Sequence, residues 1–327
     1  MATPSSVTES SKGPVDRDVI ILGSGPAGLA AAIYLARAEC SPLVLAGPEP
    51  GGQVSLTFTI ENYPGFPEGV QGADLFSLLQ KQAERFGAVV EYSSATAMDL
   101  KSTPFRVTTD SGDLRTRAII AATGASPRLL GIPGEADYRG KGVSYCATCD
   151  GAFFRGKNVV VAGGGDSALE EGLFLTRFAE QVTIIHRRNE LRAGRILRDR
   201  AEQNPKIRFL LETVIEEIRG PDRVQAVAVR NVASGKTDVL PMDGVFIFIG
   251  HDPNTALFKG QLDMDEKGYL TVDNRMRTSR TGVFAAGEAA DPTFRQIATS
   301  AGMGVAAAIT AERWLAENDS TKSTKEF

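Results

Sequence analysis

Cysteine, histidine and tryptophan are scarce: the chain has three, two and one of them in 327 residues. So few cysteines cannot staple a small fold, and stability must come from buried apolar side chains. Also missing is any run of about 18 apolar residues, the length a helix needs to cross a bilayer. Residues 1–18 hold no apolar stretch of secretory-signal length, so the expectation is a cytosolic protein with no membrane partner. Excess positive charge is absent too. A net charge of -4 gives no global basic surface to displace counterions from a nucleic acid, which excludes that partner class.

What is present suits two domains of ordinary size. Hydrophobic residues make up 42% and charged residues 23%, as in soluble globular proteins, and 34 glycines promise many tight turns. From Asp18 the sequence DVIILGSGPAGLAAAIYLARA reads as strand, glycine turn and helix. Pro26 suits the first helical position, where its missing N–H would be unpaired anyway. SPLVLAGPE supplies the next strand. The same grammar returns in NVVVAGGGDSALEEGLFLTRF followed by QVTIIHRR. FRVTTDSGDLRTRAIIAATG and VQAVAVRNVASGKTDVLPMDGVFIFIG read as hairpins and crossing strands. Finally, TGVFAAGEAAD and the alanine-rich stretch after Arg295 form another strand-to-helix junction, which we assign back to the first domain.

The expected fold is therefore α/β, with two Rossmann-like, three-layer ββα nucleotide-binding domains, the second inserted in the first. The first comprises 1–123 and 252–327, the second 124–251, with crossings near Thr123-Gly124 and Gly250-His251. Both chain ends read as solvated polar tails.

Gly23-Ser24-Gly25-Pro26-Ala27-Gly28 is a G-x-G-x-x-G turn between strand and helix. In that setting Gly23 permits the turn, Gly25 admits a pyrophosphate and Gly28 lets helix and strand touch, while the helix start offers N–H groups to phosphate. The ribose-binding acid usual about 20 residues later is absent, since the strand ends Leu45-Ala46-Gly47. Glu49 either substitutes for it or is an ordinary loop glutamate.

Gly163-Gly164-Gly165-Asp166-Ser167-Ala168 is the second turn, of G-x-G-x-x-A type. Its following strand ends in His186-Arg187-Arg188, with Arg192 close behind. Guanidinium groups there suit the extra phosphate of NADP(H) and argue against NAD(H); the alternative is a solvated basic turn.

Cys146 and Cys149 stand three apart. They can close a disulfide, reactive or structural, or supply half a zinc site, but with Cys40, His186 and His251 as the remaining candidates a zinc set is starved. Cys40 reads as a buried, inert thiol. Asp150 either donates a proton to a departing thiolate or is a turn residue before Gly151.

Together these segments resemble the low-molecular-weight, bacterial-type thioredoxin reductases, class II pyridine nucleotide-disulfide oxidoreductases, over about Val19 to Leu315. The resemblance is carried by GSGPAGLAAAIY, GGQ at 51–53, ENYPGF at 61–66, ATG at 122–124, CATCDG at 146–151, GGGDSALEE, HRR with Arg192, and GVFAAGE through Arg295-Gln296. It implies FAD on Gly23, Gly25, Pro26, Ala27, Gly28, Gly52, Gln53, Asn62 and Gly124, closed over by Gly287, Glu288, Arg295, Gln296 and Ile297. It implies NADPH on Gly163, Gly165, Asp166, Ser167, Ala168, His186, Arg187, Arg188 and Arg192. Cys149 would be the flavin-side sulfur, Cys146 the one attacking a thioredoxin-like protein, and Asp150 the acid. A homodimer is implied as well. One departure stands out: Glu288 occupies a position where the family usually carries Asp.

In such an enzyme the electron pair passes from NADPH through FAD to the Cys146–Cys149 bond. The nicotinamide site and the cysteines share the inserted domain yet must reach one flavin, so that domain must swivel at its crossings. Three rivals remain: a reductase with another electron donor, left open by Glu288 and by a tail ending in Phe327 that either obstructs the nicotinamide or is simply loose or a crystal contact; a dithiol oxidase of the same scaffold, against which Arg187, Arg188 and Arg192 argue; and a non-enzymatic redox sensor, against which the expected lack of an output domain argues.

Overall fold

The computed structural model describes residues 16–57 and 59–318. The first fifteen residues and the tail that includes Phe327 lie outside the described residues.

The chain opens with β1 (Arg17–Leu22), α1 (Pro26–Arg37) and β2 (Pro42–Leu45), followed by the short strands β3 (Thr59–Ile60) and β4 (Val70–Gln71). Then come α2 (Gly72–Arg85), β5 (Val89–Glu91), β6 (Ala95–Asp99), β7 (Phe105–Thr109) and β8 (Gly112–Ala121). β5, β2, β1 and β8 run parallel, and β7 and β6 extend the sheet antiparallel as hairpins. β2 is buried along its whole length. That explains its unbroken apolar run: a parallel strand covered on both faces has no solvent side to mark with polar residues.

β9 (Ala125–Pro127) carries the chain toward a second sheet, built from β10 (Val143–Ser144), β11 (Asn158–Ala162), β12 (Gln181–Ile185), β13 (Ile207–Leu210) and, later in the chain, β17 (Gly244–Ile247). Its order is β10-β17-β11-β12-β13, all parallel. One face is covered by α3 (Ala147–Asp150), α4 (Asp166–Leu175) and α5 (Arg195–Glu202) around Phe246, Leu169 and Ile184. The other carries the antiparallel sheet β14 (Thr213–Arg219), β15 (Ala226–Asn231) and β16 (Thr237–Pro241), packed through Ile215, Ile218 and Val227 onto Val160 and Val245. These are the three expected layers. Burying a side chain of Phe246 size contributes about 1.5–3 kcal/mol.

β18 (His251–Pro253) returns beside β9, pairing antiparallel with it. β19 (Val283–Ala285) then joins the first sheet next to β8, and α6 (Ile297–Glu317) packs on α1. Small residues allow that approach: a Cβ on Gly304 would lie 2.1 Å from Ala27 O.

Candidate active site

α1 begins at Gly25 with Pro26 at its first position and no side-chain cap, so the first backbone N–H groups stay open for a ligand. The three glycines of this turn serve different purposes. A Cβ on Gly23 would sit 2.3 Å from Ala122 O, and one on Gly28 1.9 Å from Gly23 O, so strand and helix touch there. At Gly25 it would meet nothing nearer than Gly51 O at 4.0 Å, and at Gly52 and Gly124 nothing at all within 4 Å. Those three border a cavity of about 890 Å³. The open cradle at a helix start fits a dinucleotide pyrophosphate.

The same cavity is lined by Gly23, Pro26, Ala27, Gln53, Asn62, Gly287, Glu288, Arg295, Gln296 and Ile297. Gly28 stands behind it in the helix–strand contact. Gln53 Nε2 donates to Ala125 O at 2.6 Å and to Glu288 Oε2 at 2.8 Å, and Asn62 Nδ2 donates to Gln296 Oε1 at 3.2 Å. Glu288 is thereby tied to Gln53 in the lining of the cavity. Burial pushes its carboxyl up to about 7, against the pull of the Arg295 guanidinium. Arg295 has a left-handed backbone, φ 50°, and its guanidinium meets His251 Nδ1 at 2.7 Å. Burial and that cation bring His251 down to about 4, so it is a neutral ring at pH 7. Glu49 is an exposed loop residue at the rim of the cavity.

Cys146 and Cys149 form a disulfide, Cα–Cα 5.3 Å, and both line this cavity together with Asp150. They sit on the single turn α3, where Cys146 is the N-cap and its Sγ accepts the Cys149 N–H at 3.1 Å. Asp150 is held by Ser144, whose hydroxyl donates to Oδ2 at 2.6 Å. Burial raises the Asp150 pKa, and the serine pulls it part of the way back. A carboxyl so placed can carry a proton at higher pH than an exposed aspartate. The closeness of Gly151 to Leu175, Phe178 and Phe174 explains the glycine after this aspartate.

The second glycine turn lies elsewhere. Gly163, Gly165, Asp166, Ala168, His186, Arg187, Arg188 and Arg192 do not border the cavity, although Ser167 reaches it. Gly163 is tightly packed, its virtual Cβ 2.6 Å from both Ala168 Cβ and Phe248 O, whereas Gly165 opens onto free space. The segment after β12 folds back on this turn: Arg192 N donates to Gly164 O at 2.6 Å, and Gly194 N to Asp166 Oδ1 at 2.7 Å. Arg187, Arg188 and Arg192 are exposed beside it. His186 differs from them: it is 5% exposed, and a Cβ on Gly164 would strike its ring at 2.3 Å.

Sequence reasoning passed over Ser144, Glu171 and the Arg295–His251 contact. The six-residue spacing of Ser144 and Asp150 carries no periodic signal, and Glu171 was submerged in a helical repeat.

A family model for pyridine nucleotide-disulphide oxidoreductases matches residues 17–304. The chain belongs to that family. Within it, a thioredoxin reductase of Mycolicibacterium smegmatis is 50% identical over 303 residues, covering 92% of this chain and 97% of the relative. The solved thioredoxin reductase of Streptococcus pyogenes superimposes with TM-score 0.89 at 41% identity, covering 92% of this chain and 98% of that one. The Lactococcus lactis thioredoxin reductase, described as the FR conformation, covers 92% of this chain and all of its own at 42% identity, yet reaches a TM-score of only 0.63. As a member of this oxidoreductase family, the chain uses FAD and NADPH.

Proposed function

We propose that this chain is an NADPH-dependent thioredoxin reductase. The observation that carries the reading is the Cys146–Cys149 disulfide facing the same cavity as the open cradle of Gly25, Gly52 and Gly124. In this reading the FAD module comprises 1–123 and 252–327, and 124–251 forms the NADPH module. Bound FAD supplies a two-electron relay between nicotinamide and disulfide.

The chain's own residues do the rest. The α1 start and the Gln53–Glu288 pair hold FAD, and Arg187, Arg188 and Arg192 hold the NADPH ribose phosphate. As the disulfide accepts two electrons, its S–S bond breaks, Cys149 stays on the flavin side, and Asp150 lends its proton to the departing Cys146 sulfur, which returns it to the Asp150 carboxylate before attacking as the thiolate. Cys146 then attacks the thioredoxin disulfide, and Cys149 displaces the reduced thioredoxin, restoring the Cys146–Cys149 bond.

Here the disulfide, and not the exposed arginines, faces the cavity, so the inserted module must rotate for hydride delivery. Support comes from the S. pyogenes and L. lactis relatives: nearly equal identity with very unequal superposition is what two rigid modules in different dispositions produce. The proposal includes a cytoplasmic homodimer, carried by the family resemblance. The test is stopped-flow bleaching of the flavin by NADPH against NADH, followed by a thioredoxin disulfide. NADPH-selective bleaching that recovers on adding thioredoxin is expected; bleaching without recovery sinks the reading.

A further inference from the structure

Glu135 is a buried carboxylate, 4% exposed, that accepts three hydrogen bonds. Its Oε1 takes the Leu130 N–H at 3.0 Å and the Tyr145 hydroxyl at 2.9 Å, and its Oε2 takes the Gly131 N–H at 2.7 Å. Burial, and then the hydrogen bond to Glu135, push the Tyr145 pKa up, so the phenol stays a donor. The ring packs against the apolar cluster that includes Val143, Ile218 and Val245, and the Arg139 guanidinium lies over it, 5.2 Å from its centroid.

Tyr145 immediately precedes Cys146, whose backbone is extended (φ -145°, ψ 105°). Side chains alternate along such a segment. Ser144 and Cys146 meet the redox turn, where the serine oxygen accepts the Cys146 N–H, whereas Tyr145 between them reaches Glu135. The stretch that carries Cys146 is therefore held from both sides. While the S–S bond is intact the tyrosine's hold is redundant, because the crosslink itself fixes the two sulfurs. Once that bond is broken, the turn regains torsional freedom unless another contact restrains it.

We propose that Tyr145 is a positioning residue for the dithiol: its bond to Glu135 keeps the reduced Cys146 beside Cys149, ready for re-closure. The inference deepens the disulfide-reductase reading and rests on it, since each turnover there ends with Cys149 restoring the bond to Cys146. Glu135, its backbone partners and Tyr145 all lie within 124–251, so the anchor travels with the cysteines however that module is turned.

The test is the equilibrium constant for oxidation of the Cys146–Cys149 pair by oxidised dithiothreitol. The two protein thiols become one disulfide, and the oxidant becomes reduced dithiothreitol. FAD-loaded protein is equilibrated anaerobically in mixtures of the two forms, quenched with acid, alkylated and read by peptide mass spectrometry. Tyr145→Phe keeps the ring, its packing and the Arg139 contact, and removes the hydroxyl alone. Tyr138→Phe is the control: its hydroxyl donates to Gly220 O and its ring packs on the same apolar cluster, so it loses a comparable bond with no cysteine next to it. In Tyr145→Phe the loosened dithiol gains entropy relative to the disulfide, and the constant should fall about fivefold, the freedom of roughly one backbone residue. For a two-electron couple that is about 20 mV toward easier reduction. Tyr138→Phe should match the wild type, even where its melting temperature drops as far. An unchanged constant in Tyr145→Phe overturns the inference, as does an equal fall in Tyr138→Phe, which would mark general loosening. Thioredoxin turnover of the wild type is measured on the same preparation. Its absence defeats the reductase reading and this inference with it, whereas turnover beside an unshifted Tyr145→Phe constant defeats this inference alone.

Discussion

The Ser144 hydroxyl and the Asp150 carboxylate, six residues apart in sequence, meet at 2.6 Å across the redox turn. The same serine oxygen accepts the Cys146 N–H at 3.1 Å, so one hydroxyl ties the Asp150 carboxyl to the backbone of Cys146. Removing that donor should raise the Asp150 pKa further, because hydrogen bonding to the charged form favours it. In Ser144→Ala the alkaline limb of the pH profile for thioredoxin reduction is expected to move to higher pH. A limb unmoved or shifted to lower pH would show that Asp150 is not the titrating acid.

Replacing the acid itself should be more severe. Asp150→Asn keeps the volume and loses the proton, and turnover should fall about 100-fold or more, the usual worth of a positioned acid. Flavin reduction by NADPH should be spared, which single-turnover bleaching checks.

Glu288 gives a stability prediction for the FAD-free protein. Its folded pKa, about 7, lies above the ordinary glutamate value of 4.5. The stability tied to the bound proton is therefore fully present below pH 4.5 and is lost as pH rises through about 7. The linked difference is about 3 kcal/mol. Denaturant unfolding at pH 5 and pH 8 should show a smaller loss in Glu288→Gln than in the wild type; equal losses would place the titration elsewhere.

Two glycine substitutions should separate fold from ligand. Gly28→Ala drives a Cβ to within 1.9 Å of Gly23 O and should lower the melting temperature of the FAD-free protein. Gly25→Ala meets only open space, so the fold should stand while FAD affinity drops, read by flavin fluorescence titration. Equal melting losses in both would contradict the cradle.

For the nucleotide, Arg187→Ala or Arg188→Ala should raise the KM for NADPH by roughly 10-fold or more, the loss expected for a charge-assisted contact, and leave the KM for NADH nearly unchanged. Parallel steady-state assays with the two nucleotides check it.

Much of this was legible in the sequence because glycine turns are local: Gly23 through Gly28, and Gly163 through Ala168, announce strand, turn and helix within a dozen residues. The apolar runs of β2 and β11 read plainly for the same reason. His186 was less legible. Its neighbours Arg187 and Arg188 are exposed, but alternation at the end of β12 turns the imidazole inward onto Gly164, and a basic run gives no hint of that. Contacts such as Gln53 to Glu288, 235 residues apart, depend on how two distant turns meet and leave no periodic trace.

The two passages of chain between the sheets run side by side, with His251 opposite Pro127 and Pro253 opposite Ala125. Arg128 grips Asp252 across them, and Asn254 N donates to Gly124 O. Two tethers laced in this way form a ribbon, which twists about its long axis far more readily than it shears or stretches. Any reorientation of the modules is thereby steered toward one screw-like path, and a lesion in either strand would slacken both.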